Sequence, residues 1–267
     1  MPASRWLVAC VALIVGLDGC ASAAPTPTPQ PGGALTVLAA ASLQAPFAEL
    51  KRAFQASHPR TTLTFAFDAS STLRAQIEQG APADLLVSAD VAIPARLASE
   101  GLTAGPPVTF ARDTLAIVVP AGNPARISSP IDLAVPSLRI VVAAATVPLG
   151  MYTQVLLERL AKEPGYPPGY AARVVANVAS REENAATVLT RIELGEADAA
   201  ILYASQARAA GARLTVIGLP ASVRVTASYA AVVLKASRSR PAANDFLAWL
   251  RTPIAGAILA RFGLTPA

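Results

Sequence analysis

Two serines stand where apolar, strand-like runs of sequence give way to helical patterns. Ser42 follows the run at residues 35–41, and Ser70 follows the run at residues 62–67. At the start of a helix the backbone N–H groups lack partners and the helix dipole is positive, so a bound anion is favoured there. Each serine adds a hydroxyl donor. The two corners together predict a pocket that holds a small oxyanion without a formal positive charge.

The elements that position these serines alternate between apolar strands and amphipathic helices. In the predicted helix over residues 43–57, Phe47, Leu50 and Phe54 share one face. Further strands are predicted at residues 62–67, 84–88, 115–119, 139–144, 173–178 and 199–203. This order is typical of a mainly parallel sheet covered by helices on both faces, in which ligands bind at the carboxyl ends of the strands.

A second set of elements follows the first along the chain. One of its helices is predicted over residues 150–162 and another over residues 182–194, whose start carries the capping-box pattern Ser180-x-x-Glu183. We therefore predict an α/β fold with two lobes and a ligand cleft between them. Lobe 1 is predicted to comprise residues 34–115 plus 232–267, and lobe 2 to comprise residues 116–231.

The N-terminus is typical of an export signal, predicted over residues 1–19. Arg5 precedes an apolar run at residues 6–17, which is too short for an ordinary membrane-spanning helix. The sequence Leu17-Asp18-Gly19-Cys20 resembles a bacterial lipobox, with Cys20 as the lipidated residue; the alternative is ordinary signal-peptidase cleavage after residue 23. Residues 20–33 are rich in proline and predict a stiff tether.

Composition limits the classes of function. Hydrophobic residues make up 53% of the 267 residues, so the chain has ample material for a core. The net charge of +5 is scattered along the sequence and aromatic residues are only 5%, which argues against a nucleic-acid surface. Both cysteines, Cys10 and Cys20, lie in or at the end of the leader. The mature domain is therefore expected to lack internal disulfides and thiolate metal sites.

Enzymatic activity is not predicted. The sequence contains no Gly-x-Ser-x-Gly elbow and no Walker-type phosphate loop, and its single histidine, His58, is far from any nucleophile motif. An extracytoplasmic hydrolase that used Ser42 or Ser70 would need a base that the sequence does not visibly supply. A serine hydrolase remains as an alternative from a different functional class.

From residue 35 to its end, the chain resembles the substrate-binding proteins of bacterial molybdate ABC importers. The order and spacing of several short motifs carry this resemblance. They are Ala39-Ala40-Ala41-Ser42-Leu43, Ser70-Ser71-Thr72-Leu73, Gly80-Ala81-Pro82-Ala83-Asp84-Leu85, Ser88-Ala89-Asp90, Val147-Pro148-Leu149-Gly150-Met151-Tyr152, Glu183-Asn184-Ala185, and Gly195-Glu196-Ala197-Asp198 with Tyr203.

The resemblance implies a two-lobed periplasmic-binding-protein fold of the type II-like class and a site built from neutral donors. Ser42 and Ser70 would donate through hydroxyl and backbone N–H groups, Leu149 and Ala185 through backbone N–H groups, and Tyr203 through its phenol. Molybdate or tungstate would bind as the oxyanion, with no metal coordinated directly by the protein and no further cofactor.

The resemblance also implies partners and a location. The loaded protein would dock onto an ABC permease driven by a cytoplasmic ATPase. We expect a monomer that is exported to the periplasm or cell surface and held at the membrane by the lipid on Cys20.

The sequence departs from common usage in this family at Asp68, two residues before Ser70. A carboxylate that faced the cleft would repel a dianion or accept a proton from an oxyanion such as hydrogen phosphate. The alternative is a solvated or capping role for Asp68. Binding of another oxyanion, either sulfate or phosphate, therefore remains an alternative function.

Overall fold

The structure is a computed structural model and describes residues 32–267. The predicted signal peptide, Cys10, Cys20 and nearly all of the predicted tether lie outside the described residues. Within residues 32–267, no helix is both long enough and apolar enough to cross a membrane.

The described chain alternates strands with helices, as the sequence predicts. The strands are β1 (Gly33–Ala40), β2 (Thr61–Asp68), β3 (Leu85–Ser88), β4 (Val108–Pro120), β5 (Ile140–Ala143), β6 (Val178–Glu182), β7 (Ala199–Tyr203), β8 (Leu214–Ile217), β9 (Thr226–Val233) and β10 (Thr265–Pro266). The helices are α1 (Gln44–Ser57), α2 (Ser70–Glu78), α3 (Ala92–Ser99), α4 (Pro148–Leu160), α5 (Tyr170–Ala176), α6 (Ala185–Glu193), α7 (Ala204–Ala210), α8 (Arg240–Trp249) and α9 (Pro253–Arg261).

The strands form one sheet in the order β2-β1-β3-β9-β4-β7-β5-β6, and β8 and β10 pair with β4 off this path. The pairings of β1 with β2 and β3, and of β5 with β6 and β7, are parallel. The pairings made by β4 and β9 are antiparallel. Parallel pairing therefore holds where helices connect the strands, whereas the long strands that run between the two halves of the sheet are antiparallel.

Strand β4 belongs to both halves of the sheet. Its first part, residues 108–114, pairs with β9, and its later part, residues 115–118, pairs with β7. A single strand thereby links the part of the sheet that contains β1 and β2 to the part that contains β5 and β6.

The register of the parallel strands explains where the predicted site residues fall. Ala40 of β1 lies level with Asp68 of β2, so both strands end at the same edge of the sheet. Ala143 of β5 likewise lies level with Glu182 of β6. The turns that follow these strands therefore emerge side by side.

The predicted apolar face of α1 is buried. Phe47, Leu50 and Phe54 are each 0% exposed. The Phe54 ring meets the rings of Phe246 and Trp249 edge-on, at centroid distances of 5.0 and 5.3 Å. Helix α8, near the end of the chain, thus packs against α1, near its beginning.

Two local predictions in the second half of the chain are wrong. Residues 170–176 form helix α5, with Tyr170 and Val174 buried one turn apart, where the sequence predicts a strand at 173–178. A short apolar run does not distinguish a buried strand from a buried helix.

Helix α6 begins at Ala185 rather than near residue 182, because β6 continues through Glu182 and Asn184 is the N-cap. Ser180 is not a cap, since its hydroxyl donates to the Glu182 carboxylate.

Candidate functional site

One cavity lies at the edge where β1, β2, β6 and β7 end. The space between its walls, part of which is open to solvent, is about 240 Å³. All five residues predicted as anion ligands line it: Ser42, Ser70, Leu149, Ala185 and Tyr203. Asp68 and Asn184 line it as well. The fold thus brings together residues that are up to 161 positions apart in sequence. Their role as ligands stays a prediction, since the structure contains no ligand.

The two serines form one wall of the cavity. Ser42 lies in a short 3-10 turn after β1, and Ser70 is the first residue of α2. Both are buried, but each lines the cavity. The Ser70 hydroxyl accepts a hydrogen bond from the Ala89 backbone N–H at 3.0 Å. Because a hydroxyl has one proton and two lone pairs, Ser70 keeps its own proton for a group in the cavity.

Two helix starts form the opposite wall. Leu149 is the second residue of α4, and Ala185 is the first residue of α6. In the first turn of a helix the backbone N–H groups have no intrahelical partner. The carbonyl groups of both residues are held by side chains: Thr153 donates to Leu149 at 2.8 Å, and Gln206 donates to Ala185 at 3.0 Å. These contacts hold the 149–150 and 185–186 peptide groups, which directly follow the peptide groups of the two predicted donor amides.

Glycine at position 150 allows α4 to begin this close to the sheet. A Cβ atom added to Gly150 would lie 1.9 Å from the Ala144 carbonyl oxygen. No side chain fits at that distance, so any other residue must displace the start of α4. The position of the Leu149 amide therefore depends on Gly150.

Tyr203 supplies the most informative polar group of the cavity. It ends β7 and is 1% exposed. Its hydroxyl makes no hydrogen bond of 3.5 Å or less among residues 32–267, although the Tyr229 hydroxyl is near enough to favour ionisation of the phenol slightly. Burial raises the pKa of the Tyr203 phenol well above its ordinary value, so the group remains a donor at neutral pH. A buried donor without an acceptor costs about 1–3 kcal/mol. A ligand that accepts this hydrogen bond removes that cost.

Asp68 occupies the cavity wall without being fully solvated. Its Oδ1 accepts from the Ala69 backbone N–H at 2.7 Å and from the Asn184 side-chain amide at 3.4 Å. The carboxylate therefore lines the cavity, as one of the two alternatives for this residue requires, and it does not cap α2, which has no side-chain cap hydrogen bond. The contact with Asn184 joins the end of β2 to the N-cap of α6.

Sequence reasoning missed Asn184 and Tyr229. Asn184 directly precedes a helix, and its side-chain oxygen accepts from the Thr187 backbone N–H at 3.0 Å, an N-cap contact that its residue type favours. The place of Asn184 before a predicted helix, where asparagine is a favoured N-cap, is the sequence signal that could have identified it. Tyr229 lies in β9 with its hydroxyl 3.0 Å from the Ser42 hydroxyl. No local pattern links residues that are so far apart in sequence.

The electrostatics of the cavity suit an anion. Helices α2, α4 and α6 all begin at it, and the positive end of each helix dipole therefore points toward the cavity. Within residues 32–267, no group of three or more histidine, cysteine, aspartate or glutamate side chains is placed to hold a metal ion. The lining offers hydroxyl and amide donors, which match the oxygens of an oxyanion.

The chain has clear relatives among known proteins. Residues 35–265 match the family described as bacterial extracellular solute-binding protein. The chain is 35% identical over 255 residues to the molybdate-binding protein ModA of Mycobacterium tuberculosis, covering 94% of this chain and 93% of the relative.

Solved structures agree on the fold. The periplasmic molybdate-binding protein of Azotobacter vinelandii has a TM-score of 0.74 at 22% identity and covers 86% of this chain and 98% of its own. The sulfate-binding protein SubI of Mycobacterium tuberculosis has a TM-score of 0.76 at 22% identity, with coverage of 88% and 87%. The predicted α/β fold of the type II-like periplasmic-binding-protein class is confirmed.

Proposed function

Because this chain belongs to the bacterial extracellular solute-binding protein family, we propose that it captures molybdate, and tungstate with it, for delivery to an ABC importer. Members of this family function outside the cytoplasm. The relatives of this chain are binding proteins rather than enzymes. The mycobacterial relative named as molybdate-binding spans nearly the same length, which supports the choice of anion.

The buried Tyr203 hydroxyl is the observation that carries this proposal. It has no acceptor among residues 32–267, and it lies in the same cavity as two serine hydroxyls and the starts of three helices. Such a set of donors is incomplete until an anion accepts from it. A dianion in turn needs this set, because burying its charge is costly unless its oxygens are hydrogen-bonded.

The number of donors is sufficient for tight binding. The proposed site has about seven donors. Each serine supplies a hydroxyl and a backbone N–H, Leu149 and Ala185 each supply a backbone N–H, and Tyr203 supplies its phenol. Hydrogen bonds to a charged partner contribute roughly 1.5–3 kcal/mol each. Since micromolar binding needs only about 8 kcal/mol, such a set can offset the desolvation of the anion and leave a favourable net free energy.

A site of donors also selects by protonation state. Hydrogen phosphate carries a proton that needs an acceptor, whereas molybdate, tungstate and sulfate are fully deprotonated at neutral pH. Asp68 at the wall receives two hydrogen bonds at Oδ1, which leaves Oδ2 as the one carboxylate oxygen that could accept the proton of hydrogen phosphate. The neutral donors favour sulfate over phosphate as a competitor, and the size of the cavity is what would separate sulfate from molybdate.

The test is isothermal titration calorimetry of the purified protein with sodium molybdate, tungstate, sulfate and phosphate. We expect molybdate and tungstate to bind tightly and to compete with each other, and sulfate and phosphate to bind much more weakly. Molybdate at a hundred times its dissociation constant should also raise stability by about 2.7 kcal/mol. Tight sulfate binding without molybdate binding would overturn the proposed ligand, and no binding of any of the four would overturn the binding role.

We further propose that lobe 1 (residues 34–115 plus 232–267) and lobe 2 (residues 116–231) close on the anion, with Ser42 and Ser70 on one side and Leu149, Ala185 and Tyr203 on the other. The loaded monomer would then dock onto an ABC permease and its ATPase. The protein would need no cofactor for this task.

We also propose that Cys20 carries a lipid that anchors the protein at the membrane. Metabolic labelling with a radioactive fatty acid in a bacterial host should mark the wild-type chain and leave a Cys20→Ala variant unlabelled. Release of both forms into the soluble extracytoplasmic fraction would instead favour ordinary signal-peptidase cleavage.

A further inference from the structure

Tyr229 lies directly behind one of the proposed ligands. It belongs to β9 and is 0% exposed, and its hydroxyl is 3.0 Å from the Ser42 hydroxyl. Its ring contacts those of Tyr203 and Phe110, at centroid distances of 5.6 and 6.4 Å. The ring is therefore held on two sides, and its hydroxyl is aimed at Ser42.

The direction of this hydrogen bond decides whether the Ser42 hydroxyl presents its proton or a lone pair to the cavity. Geometry alone allows either oxygen to donate. If Ser42 donated, the phenol proton of Tyr229 would be left facing the Tyr203 hydroxyl, which lies nearby but makes no hydrogen bond of 3.5 Å or less. A buried donor paired this poorly costs about 1–3 kcal/mol. If Tyr229 donates, both protons are used as soon as an anion occupies the cavity, because Ser42 accepts from Tyr229 and donates to the anion. The second arrangement satisfies every group.

The other serine of the cavity shows the same arrangement with an unambiguous donor. The Ser70 hydroxyl accepts from the Ala89 backbone N–H at 3.0 Å, and a backbone N–H can only donate. Each serine thus has a donor behind it, a backbone amide for Ser70 and a phenol for Ser42. In both cases the serine proton is left to point into the cavity.

We propose that Tyr229 is a positioning residue of the anion site, which donates to Ser42 and so directs the Ser42 hydroxyl proton toward the bound oxyanion. The inference rests on the proposed function, because it assumes that Ser42 donates to the ligand. Burial also raises the pKa of the Tyr229 phenol well above its ordinary value, so this group keeps its proton over the physiological pH range.

The first test removes the Tyr229 hydroxyl and measures molybdate affinity by calorimetry. Tyr229→Phe should weaken binding roughly tenfold, which is the order expected for one misdirected hydrogen bond to a charged ligand. The matched control is Tyr170→Phe, since Tyr170 is equally buried and its hydroxyl donates to the Pro130 carbonyl at 2.5 Å, away from the cavity. The control should bind molybdate like the wild type. An unchanged affinity for Tyr229→Phe would overturn the inference.

The second test is a double-mutant cycle with Ser42→Ala. If Tyr229 acts through Ser42, Tyr229→Phe should change affinity little once the Ser42 hydroxyl is absent. A tyrosine that merely supported the shape of the cavity would weaken binding by the same factor in both backgrounds. That equal loss would overturn the positioning role.

A third variant keeps the fold and tests the direction of the hydrogen bond. Replacing Tyr229 with 3-fluorotyrosine makes the phenol a better donor and a poorer acceptor. Tighter molybdate binding is expected if Tyr229 donates to Ser42, and unchanged or weaker binding would overturn the inference. If the wild type itself fails to bind molybdate, the proposed function fails; loss of the positioning role alone leaves wild-type binding intact.

Discussion

At the scale of single residues, the chemistry of the cavity depends on which groups donate and which accept. The hydroxyls of Ser42 and Ser70 each have a partner behind them, whereas the Tyr203 hydroxyl has none among residues 32–267. Asp68, the carboxylate at the wall, receives hydrogen bonds at Oδ1 from both sides of the cavity. Most of the groups that can still form a hydrogen bond in the cavity are therefore donors, and an anion requires donors.

Removing the Tyr203 hydroxyl should separate ligand binding from stability. Tyr203→Phe should weaken molybdate binding by roughly 1.5–3 kcal/mol, because a hydrogen bond to the charged ligand is lost. The unliganded variant should be at least as stable as the wild type, since the substitution removes a buried donor without a partner. Calorimetry and urea denaturation measure the two effects. An unchanged affinity would remove Tyr203 from the site.

Asp113 should make stability depend on pH. It is 3% exposed, its Oδ1 accepts from the Thr114 backbone N–H at 2.7 Å, and the Ser205 backbone N–H lies 3.4 Å from both its oxygens. Burial raises the pKa of this carboxyl to about 6. Because the folded state holds the proton more tightly than the unfolded state, the stability from protonation is complete below the unfolded pKa of 3.8 and is lost as the pH rises through about 6.

Asp113→Asn should therefore be more stable than the wild type at pH 7, by up to about 3 kcal/mol, and should lose this advantage near pH 4. The asparagine oxygen can still accept from the two backbone N–H groups. Urea denaturation at several pH values from 4 to 7.5 measures the difference. A constant difference across that range would show that Asp113 does not titrate as described.

At the scale of elements, the site consists of helix starts at the edge of a sheet. Helices α2, α4 and α6 begin at the cavity, so their first N–H groups and their dipoles act on the same volume. The Gln206 side chain of α7 donates to the Ala185 carbonyl at 3.0 Å, and this contact between two elements shows how the fold fixes the start of α6. Small shifts of a helix start should therefore matter more for binding than changes in its exposed face.

Gly150→Ala should displace the start of α4. The added Cβ would lie 1.9 Å from the Ala144 carbonyl oxygen, and overpacking of this kind costs roughly 1–3 kcal/mol of stability. Molybdate binding should weaken as well, because the Leu149 amide moves with the helix. Thermal denaturation and calorimetry measure the two effects.

Gly122→Ala is the matched control for Gly150→Ala. Nothing lies within 4 Å of a Cβ built at Gly122, so both stability and affinity should be preserved there. If Gly150→Ala behaved like this control, the close approach of α4 to the sheet would be irrelevant to the site.

At the scale of the whole molecule, strand β4 and several side-chain contacts connect the two walls of the cavity. Strand β4 runs through both halves of the sheet. The Asn184 amide reaches Asp68 at 3.4 Å, while its oxygen caps α6. Because this contact spans the two walls, we expect it to hold them together, so its loss should speed release of the anion more than it slows capture.

Asn184→Ser should raise the molybdate dissociation rate. Serine can still cap α6, but it has no amide to reach Asp68. We expect a roughly three- to tenfold faster release with little change in the association rate, measured by stopped-flow competition. Asp68→Asn is the contrasting variant, because it keeps an acceptor and removes a negative charge beside the anion, so it should bind more tightly. Faster release in Asp68→Asn, or no change in Asn184→Ser, would contradict this account.

The sequence predicts most of the strands and helices, and the two serine corners, because those features are local, whereas Leu149, Ala185 and Tyr203 were implied only by the family resemblance. Ser42 and Ser70 stand at strand-to-helix corners that can be read from adjacent residues, and the motif spacing shows the family. The apolar pattern at residues 173–178 fits a strand as well as a helix, and only the packing of α5 distinguishes the two. Helix α6 starts later than the sequence predicts for a related reason, since β6 continues through Glu182 in its pairing with β5.

What the sequence determines by itself is therefore the order of the elements, the family and the residue types that can donate to an anion. The tertiary structure alone decides which side chains meet across the fold: Tyr229 with Ser42 over 187 residues, and Asp68 with Asn184 over 116 residues. The physical reason is that such contacts depend on the pairing order of the sheet strands and the direction of each strand end. These properties are set by the packing of the whole chain, and no window of local sequence contains them.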